Sequence, residues 1–152
     1  MAETLYTRDI LRLATSIPYE DRLEKADGRA KKRAPICGSH IDFDICIDRD
    51  EKITAVGMDV SACALGQASA ALLGQHIIGR SLDEIKTARQ ALADFLAGIR
   101  PDSGTWPGLM IFEPARPHTG RHGAICLPFD AAIAAFETAI SSKMEIEKLE
   151  SL

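Results

Sequence analysis

No long basic run occurs in this 152-residue chain, whose formal net charge is −4, and that absence argues against binding to a nucleic-acid backbone as its main activity. No stretch reads as the roughly 20 apolar residues that a bilayer span requires. The opening "MAETLYTRDILRL" has no charged segment followed by an apolar one and a cleavage site, so it does not read as a signal peptide. The expectation is a cytoplasmic protein with neither a membrane nor a nucleic acid as partner. Cysteine is sparse too, with Cys37, Cys46, Cys63 and Cys126 the four residues of that type. In a reducing compartment these read as free thiols or ligands rather than as a disulfide framework.

What is present is enough apolar material, 46% of the residues, for one compact core, which predicts a single domain over residues 1–152. Ile10, Leu13, Ala14 and Ile17 have the spacing of one helical face, and Pro18 should end that helix. The cluster "RAKKR" at 29–33 suits one face of a strand; it reads either as a docking patch for an acidic partner or as a solvated face. "HIDFDICID" puts Ile41, Phe43, Ile45 and Ile47 on one strand face, with Asp42, Asp44, Cys46 and Asp48 on the other as solvated carboxylates and a structural thiol. "KITAVGMDV" returns as its antiparallel partner, with Val56, Met58 and Val60 sharing a face.

After Cys63 the period changes. Leu65, Ala68 and Leu72 form a helical stripe that weakens at Gly74 and Gly79, and "SLDE" at 81–84 is a capping box opening a second stripe from Ile85 through Ala88, Leu92, Phe95 and Leu96 to Ile99. The Pro- and Gly-rich segment that follows contains "WPGLMIF", which should pack onto the body because Trp106, Leu109, Met110, Ile111 and Phe112 would otherwise form a large exposed patch. A last helix is expected from about Pro128, burying Ile133, Phe136 and Ile140. Strands and helices do not alternate, so the predicted fold class is α+β, a small antiparallel sheet with helices.

Cys37 lies just before the first strand of the hairpin and Cys63 just after the second, at the first turn of a helix. A hairpin brings its outer ends together, so the two thiols should be neighbours. The helix N-terminus offers unpaired N–H groups that favour thiolate at Cys63. Such a pair suits a soft metal or an iron-sulfur unit; two small core cysteines are the competing reading.

"APICG" at 34–38, "ACALGQAS" at 62–69 and "IGRSLDE" at 78–84 together resemble the NifU/IscU-type scaffold proteins of iron-sulfur cluster assembly. The resemblance implies their fold, with helices packed on one side of the sheet, and a site of three cysteines and one aspartate at an exposed end. Cys37 and Cys63 take the first two cysteine positions, and Ser39 stands where the family has its aspartate. "RHGAICL" at 121–127 matches the third motif with Ala124 in place of the third cysteine. Cys126, two positions later, either joins the site, if the chain there is still extended, or is a buried thiol under the last helix. Ser39, His40 and His122 are candidate additional ligands; His76 and His118 have less in their favour.

By this resemblance the chain is a non-enzymatic, scaffold-like protein that binds iron or a labile iron-sulfur cluster through cysteine thiolates, with zinc also compatible. The implied partners are a cysteine desulfurase and recipient apo-proteins, and a second copy of the chain could complete the site. Ser39 and Ala124 favour an alternative, a degenerate homologue that regulates or adapts the desulfurase system without building clusters. A third reading, Cys63 as the nucleophile of a sulfur-transfer enzyme, ranks last because no base or orienting group accompanies it.

Overall fold

The computed structural model describes residues 5–151. A short helix α1 (Arg8–Ala14) precedes three strands, β1 (Gly28–Arg33), β2 (His40–Ile47) and β3 (Ile53–Ser61). Helices α2 (Ala64–His76) and α3 (Leu82–Leu96) follow, then a 3-10 helix (Leu109–Ala115) and the long α4 (His122–Glu150). The sheet is antiparallel in the order β1-β2-β3. The expected α+β class is therefore observed. "RAKKR" forms β1, a third strand on the edge of the sheet.

The alternation in β2 puts Ile41, Phe43, Ile45 and Ile47 into the core, where α4 packs across β1 and β2 and α2 and α3 pack against α4. The capping box forms as read, with Glu84 N–H donating to Ser81 Oγ and Ser81 N–H to Glu84 Oε1, each at 3.2 Å. Trp106, Leu109 and Phe112 pack into the body, and Trp106 Nε1 donates to Leu72 O at 3.0 Å; Met110 from the same segment stays at the surface.

Several boundaries differ from the sequence reading. Helix α1 stops at Ala14, before Ile17, because the hydroxyls of Thr15 and Ser16 both donate to Arg12 O at 2.9 Å and take the carbonyl that another turn would use. Ile99 lies beyond the end of α3 and is exposed, since Gly98 at φ +81° reverses the chain. Helix α4 begins at His122 and carries Pro128 inside it. Pro128 offers no N–H to Ala124 O. That carbonyl lies against Gly66 of α2, and the next one, Ile125 O, accepts from the buried Ser69 hydroxyl at 2.6 Å, so contacts with α2 hold the helix where its own ladder is broken. By length and composition α4 could cross a membrane, but 61% of its apolar window is buried inside the domain. Core packing accounts for that apolarity.

The acidic face of β2 is also different from expectation. Asp44 is fully buried rather than solvated. The segment 19–27 crosses this outer face, and Asp44 accepts from Arg22 Nε at 2.7 Å, from Arg29 Nη1 at 2.8 Å and from Leu23 N–H at 3.0 Å. Burial pushes the carboxyl upward, but the hydrogen bonds from Arg22, Leu23 and Arg29 outweigh it and hold the group below the usual carboxylate range. A depressed acid stabilises the fold above its unfolded pKa of about 4, and the contribution disappears as pH falls through the lower folded value. Asp44→Asn should therefore lose roughly 2 kcal/mol or more at neutral pH in urea denaturation, with the gap to wild type closing as pH drops below about 4.

Gly28 permits the close crossing of α4 over the sheet: a Cβ there would collide with Ala135 O and with the backbone of Ala139. Gly28→Ala should cost about 1–3 kcal/mol by the same assay, since backbone atoms cannot give way as a flexible side chain can.

Candidate metal centre

Three pieces of chain converge at the end of the sheet where β1 passes into β2. The first is a tight turn in which Ala34 N–H donates to Ser39 O at 2.8 Å and Gly38 N–H to Ala34 O at 3.2 Å, with Gly38 at φ +72°. This turn carries Cys37. The second is the passage from β3 into α2: His40 pairs with Ser61, so Cys63, the N-cap of α2, follows the strand end that lies beside the one Cys37 precedes. The third is the start of α4, where Gly123 faces Ala34 of the turn and Ala124 O faces Gly66 in the first turns of α2.

Cys37 is exposed and Cys63 partly so. The Cys37 sulfur lies 3.0 Å from Ser39 Oγ. The thiol is held below its ordinary value, first by the Ser39 hydroxyl, which donates to the thiolate once the proton has left. Slight burial opposes this, while the backbone N–H groups of Ser39 and Cys37 and the charge of Arg121 add to it. Ser39 is thus a hydrogen-bond partner of the sulfur. Cys63 takes an extended N-cap conformation with its side chain making no capping bond, so its sulfur is free for other chemistry at the positive end of α2.

Other candidates fall elsewhere. Because α4 starts at His122, Cys126 sits within a helix, about 200° of rotation from Ala124. It is 5% exposed and packed in the core, and burial, offset in part by Arg89 and reinforced by Asp130, pushes its thiol up to about 11. The extended geometry that would have turned it towards Cys37 and Cys63 is absent. His122 Nε2 lies 3.0 Å from Ala115 O and 3.1 Å from Arg116 O, which makes it a donor tying α4 to the 3-10 helix. His40 flanks the turn, and its Nδ1 is buried without a hydrogen-bond partner. His76 stacks edge-on against Trp106 and His118 is exposed. Cys46 donates weakly to Lys25 O at 3.4 Å. Among the described residues no three His, Cys, Asp or Glu side chains are grouped closely enough to hold a metal ion.

Residues 5–105 match the family model of the NifU-like N-terminal domain. The chain belongs to this family. A nitrogen-fixing NifU-like protein (N-terminal part) from Brucella abortus is 30% identical, with a TM-score of 0.83 over 90% of this chain and 95% of that one. A candidate iron-sulfur cluster assembly scaffold protein for the SUF system, from the thermophile Fervidobacterium islandicum AW-1, shares the fold at 20% identity, with a TM-score of 0.79 over 87% of this chain and 96% of that one. No curated protein sequence is significantly similar. Membership supports a role in iron-sulfur cluster assembly for this NifU-like chain.

Arg121, read in the sequence only as an anchor of the third motif, is a charged neighbour of Cys37. Its distance along the chain from Cys37 hid it, and only the docking of α4 against the turn makes its charge felt there. The ordering of thiol reactivity in this NifU-like chain follows from the geometry. Iodoacetamide should alkylate Cys37 with a midpoint below that of an ordinary thiol, and Ser39→Ala should move the midpoint up and slow the reaction a few-fold at neutral pH. Cys126 should react only after unfolding. Peptide mapping of the labelled protein, by mass spectrometry across a pH series, reads all of these.

Proposed function

We propose that Cys37 and Cys63 receive iron and sulfide as cargo and hold them transiently, with the remaining coordination positions open to an exchangeable donor. What supports this reading is an exposed Cys37 with the Ser39 hydroxyl 3.0 Å from its sulfur, in the turn next to the strand end that leads to the N-cap Cys63 of α2. Two thiolates are soft donors suited to iron-sulfur units. They fall short of the four ligands that a structural zinc site uses, which makes zinc a poor resident of this end of the molecule. His40, with its unpartnered Nδ1, is the remaining candidate for a further ligand, while Ser39 serves the sulfur rather than the metal.

Sulfur can enter as sulfane sulfur by exchange with no net redox change in the transfer itself, and an external thiol or electron carrier then supplies the two electrons that reduce it to sulfide. The Cys37 thiolate attacks the outer sulfur of a persulfide on a donor protein; that sulfur's bond to the donor breaks as the new S–S bond forms, and the donor leaves as a thiolate. A cysteine desulfurase is the implied donor and recipient apo-proteins the implied acceptors, in a reducing cytoplasm. An incompletely ligated cargo is readily surrendered.

A second reading is favoured by Ser39, Ala124 and the lack of a third grouped ligand among the described residues: an adaptor of the desulfurase system that keeps the fold without building clusters. Anaerobic reconstitution with iron and sulfide, followed by metal and sulfide analysis, separates the two. Wild type should load iron, Cys37→Ser and Cys63→Ser should lose most of it, and Cys126→Ser should load like wild type. Wild-type loading at background level would sink the cargo reading and favour the adaptor.

A further inference from the structure

The two edges of the sheet are finished differently. On β3, Met58 N–H donates to Tyr19 O at 2.8 Å, Ile53 N–H to Arg80 O at 3.0 Å, and Gly79 N–H to Ile53 O at 2.8 Å, so the chain itself pairs with that edge at Ile53 and Met58. On β1 the phase of the ladder follows from the bond between Ala34 N–H and Ser39 O. Gly28, Ala30 and Lys32 face the bonding positions of β2, and Arg29, Lys31 and Arg33 aim their N–H and C=O groups away from the sheet. Among the described residues nothing in the chain pairs with those outward groups.

Charge distinguishes the same edge. Arg29 is committed to Asp44 and to the carbonyls of Leu23 and Glu24. Lys31, Lys32 and Arg33 are exposed and form no ion pair among the described residues. On the inward side of the edge a groove of about 260 Å³ lies between β1 and α4, lined by Leu127, Ile133 and Ala134 together with the charged Lys32, Arg33, Asp130 and Glu137.

We infer that β1 is a strand-addition site for an extended protein segment in which acidic residues alternate with apolar ones. Backbone pairing with Arg29, Lys31 and Arg33 supplies the register. Alternate side chains of the added strand then point to opposite faces. Those on the outer face meet Lys31 and Arg33, which calls for carboxylates; those on the inner face enter the groove over Leu127, Ile133 and Ala134, which calls for apolar groups. Exposed lysines also protect an edge from pairing with its own kind. That protection excludes a second copy as the occupant, because β1 against β1 sets like charges opposite one another. An acidic strand turns the same charges into attraction. The site is independent of whether Cys37 and Cys63 hold iron.

The test uses the full chain and a fluorescein-labelled peptide of about seven residues alternating Glu with Val, beside a peptide of the same composition with its acids in one block. The alternating peptide should bind at least about tenfold more tightly, because only it satisfies both faces. Lys31→Pro deletes an outward N–H and leaves the β1–β2 ladder intact. It should weaken binding about tenfold, as should Lys31→Glu/Arg33→Glu. Amide hydrogen exchange should slow at Arg29, Lys31 and Arg33 when the alternating peptide is bound. Equal affinity for the two peptides together with indifference to Lys31→Pro would reduce the effect to bulk charge attraction and overturn the inference. So would protection mapping away from β1, absence of binding at millimolar peptide, or a dimer in sedimentation that the peptide dissociates.

Discussion

Two close backbone contacts of α4 set where the rest of the molecule lies. At one, the helix crosses Gly28 of β1 with no room for a side chain; at the other, its first turn presses Ala124 O against Gly66 of α2. Backbone-to-backbone approach of this kind leaves little freedom in the distance or angle between elements. The Gly28 crossing fixes α4 at the end of β1 remote from the Cys37 turn, and the approach to Gly66, with Gly123 facing Ala34 of the turn, fixes it at the end where the turn and the start of α2 lie. The candidate site is a product of helix packing. Its geometry would relax if the approach of α4 to Gly66 were opened.

Much of this was legible where the signal is periodic or local. The strict alternation from Ile41 to Ile47 has only one economical interpretation, a half-buried strand, and the Ser81–Glu84 box marks a helix start through chemistry confined to four residues. The pairing of the strand ends that flank Cys37 and Cys63, His40 with Ser61, followed from hairpin topology. What stayed hidden depends on partners remote in sequence. Asp44 looks like its solvated neighbour Asp42 until Arg22 and Leu23, on an aperiodic segment, fold over it. Pro128 looks like a helix start because the support it receives comes from Gly66 and Ser69 on another helix. The position of Cys126 followed from that one boundary, since an early helix start turns an extended segment into one that buries the thiol.

The exchange of a carboxylate for a hydroxyl at position 39 changes more than the ligand count. A carboxylate beside Cys37 would offer a hard oxygen donor and, being anionic, would discourage loss of the thiol proton. The Ser39 hydroxyl does the opposite on both points: it is a poor metal ligand and a hydrogen-bond donor to the thiolate. With Arg121 adding positive charge from the start of α4, the surroundings of Cys37 favour its thiolate form. That balance suits cargo that must be taken up and surrendered, and it is compatible with either of the functional readings above.

The placement of charge on β1 is consistent with the same economy of parts. Of the cations on this strand, Arg29 turns inward along the outer sheet face and stabilises the buried Asp44, while Lys31 and Arg33, two and four residues further on, remain unpaired as the strand approaches the Cys37 turn. A strand that served only the core would gain nothing from unpaired cations at its outward backbone positions, where they also discourage pairing with a like edge. The groove beneath, walled by α4, adds an apolar face that repulsion does not require. Because β1 runs directly into Ala34 and the turn, a segment paired along it is held in register with the loop that presents Cys37. Edge pairing fixes the position of a partner along the strand, and position along this strand is distance from the reactive sulfur.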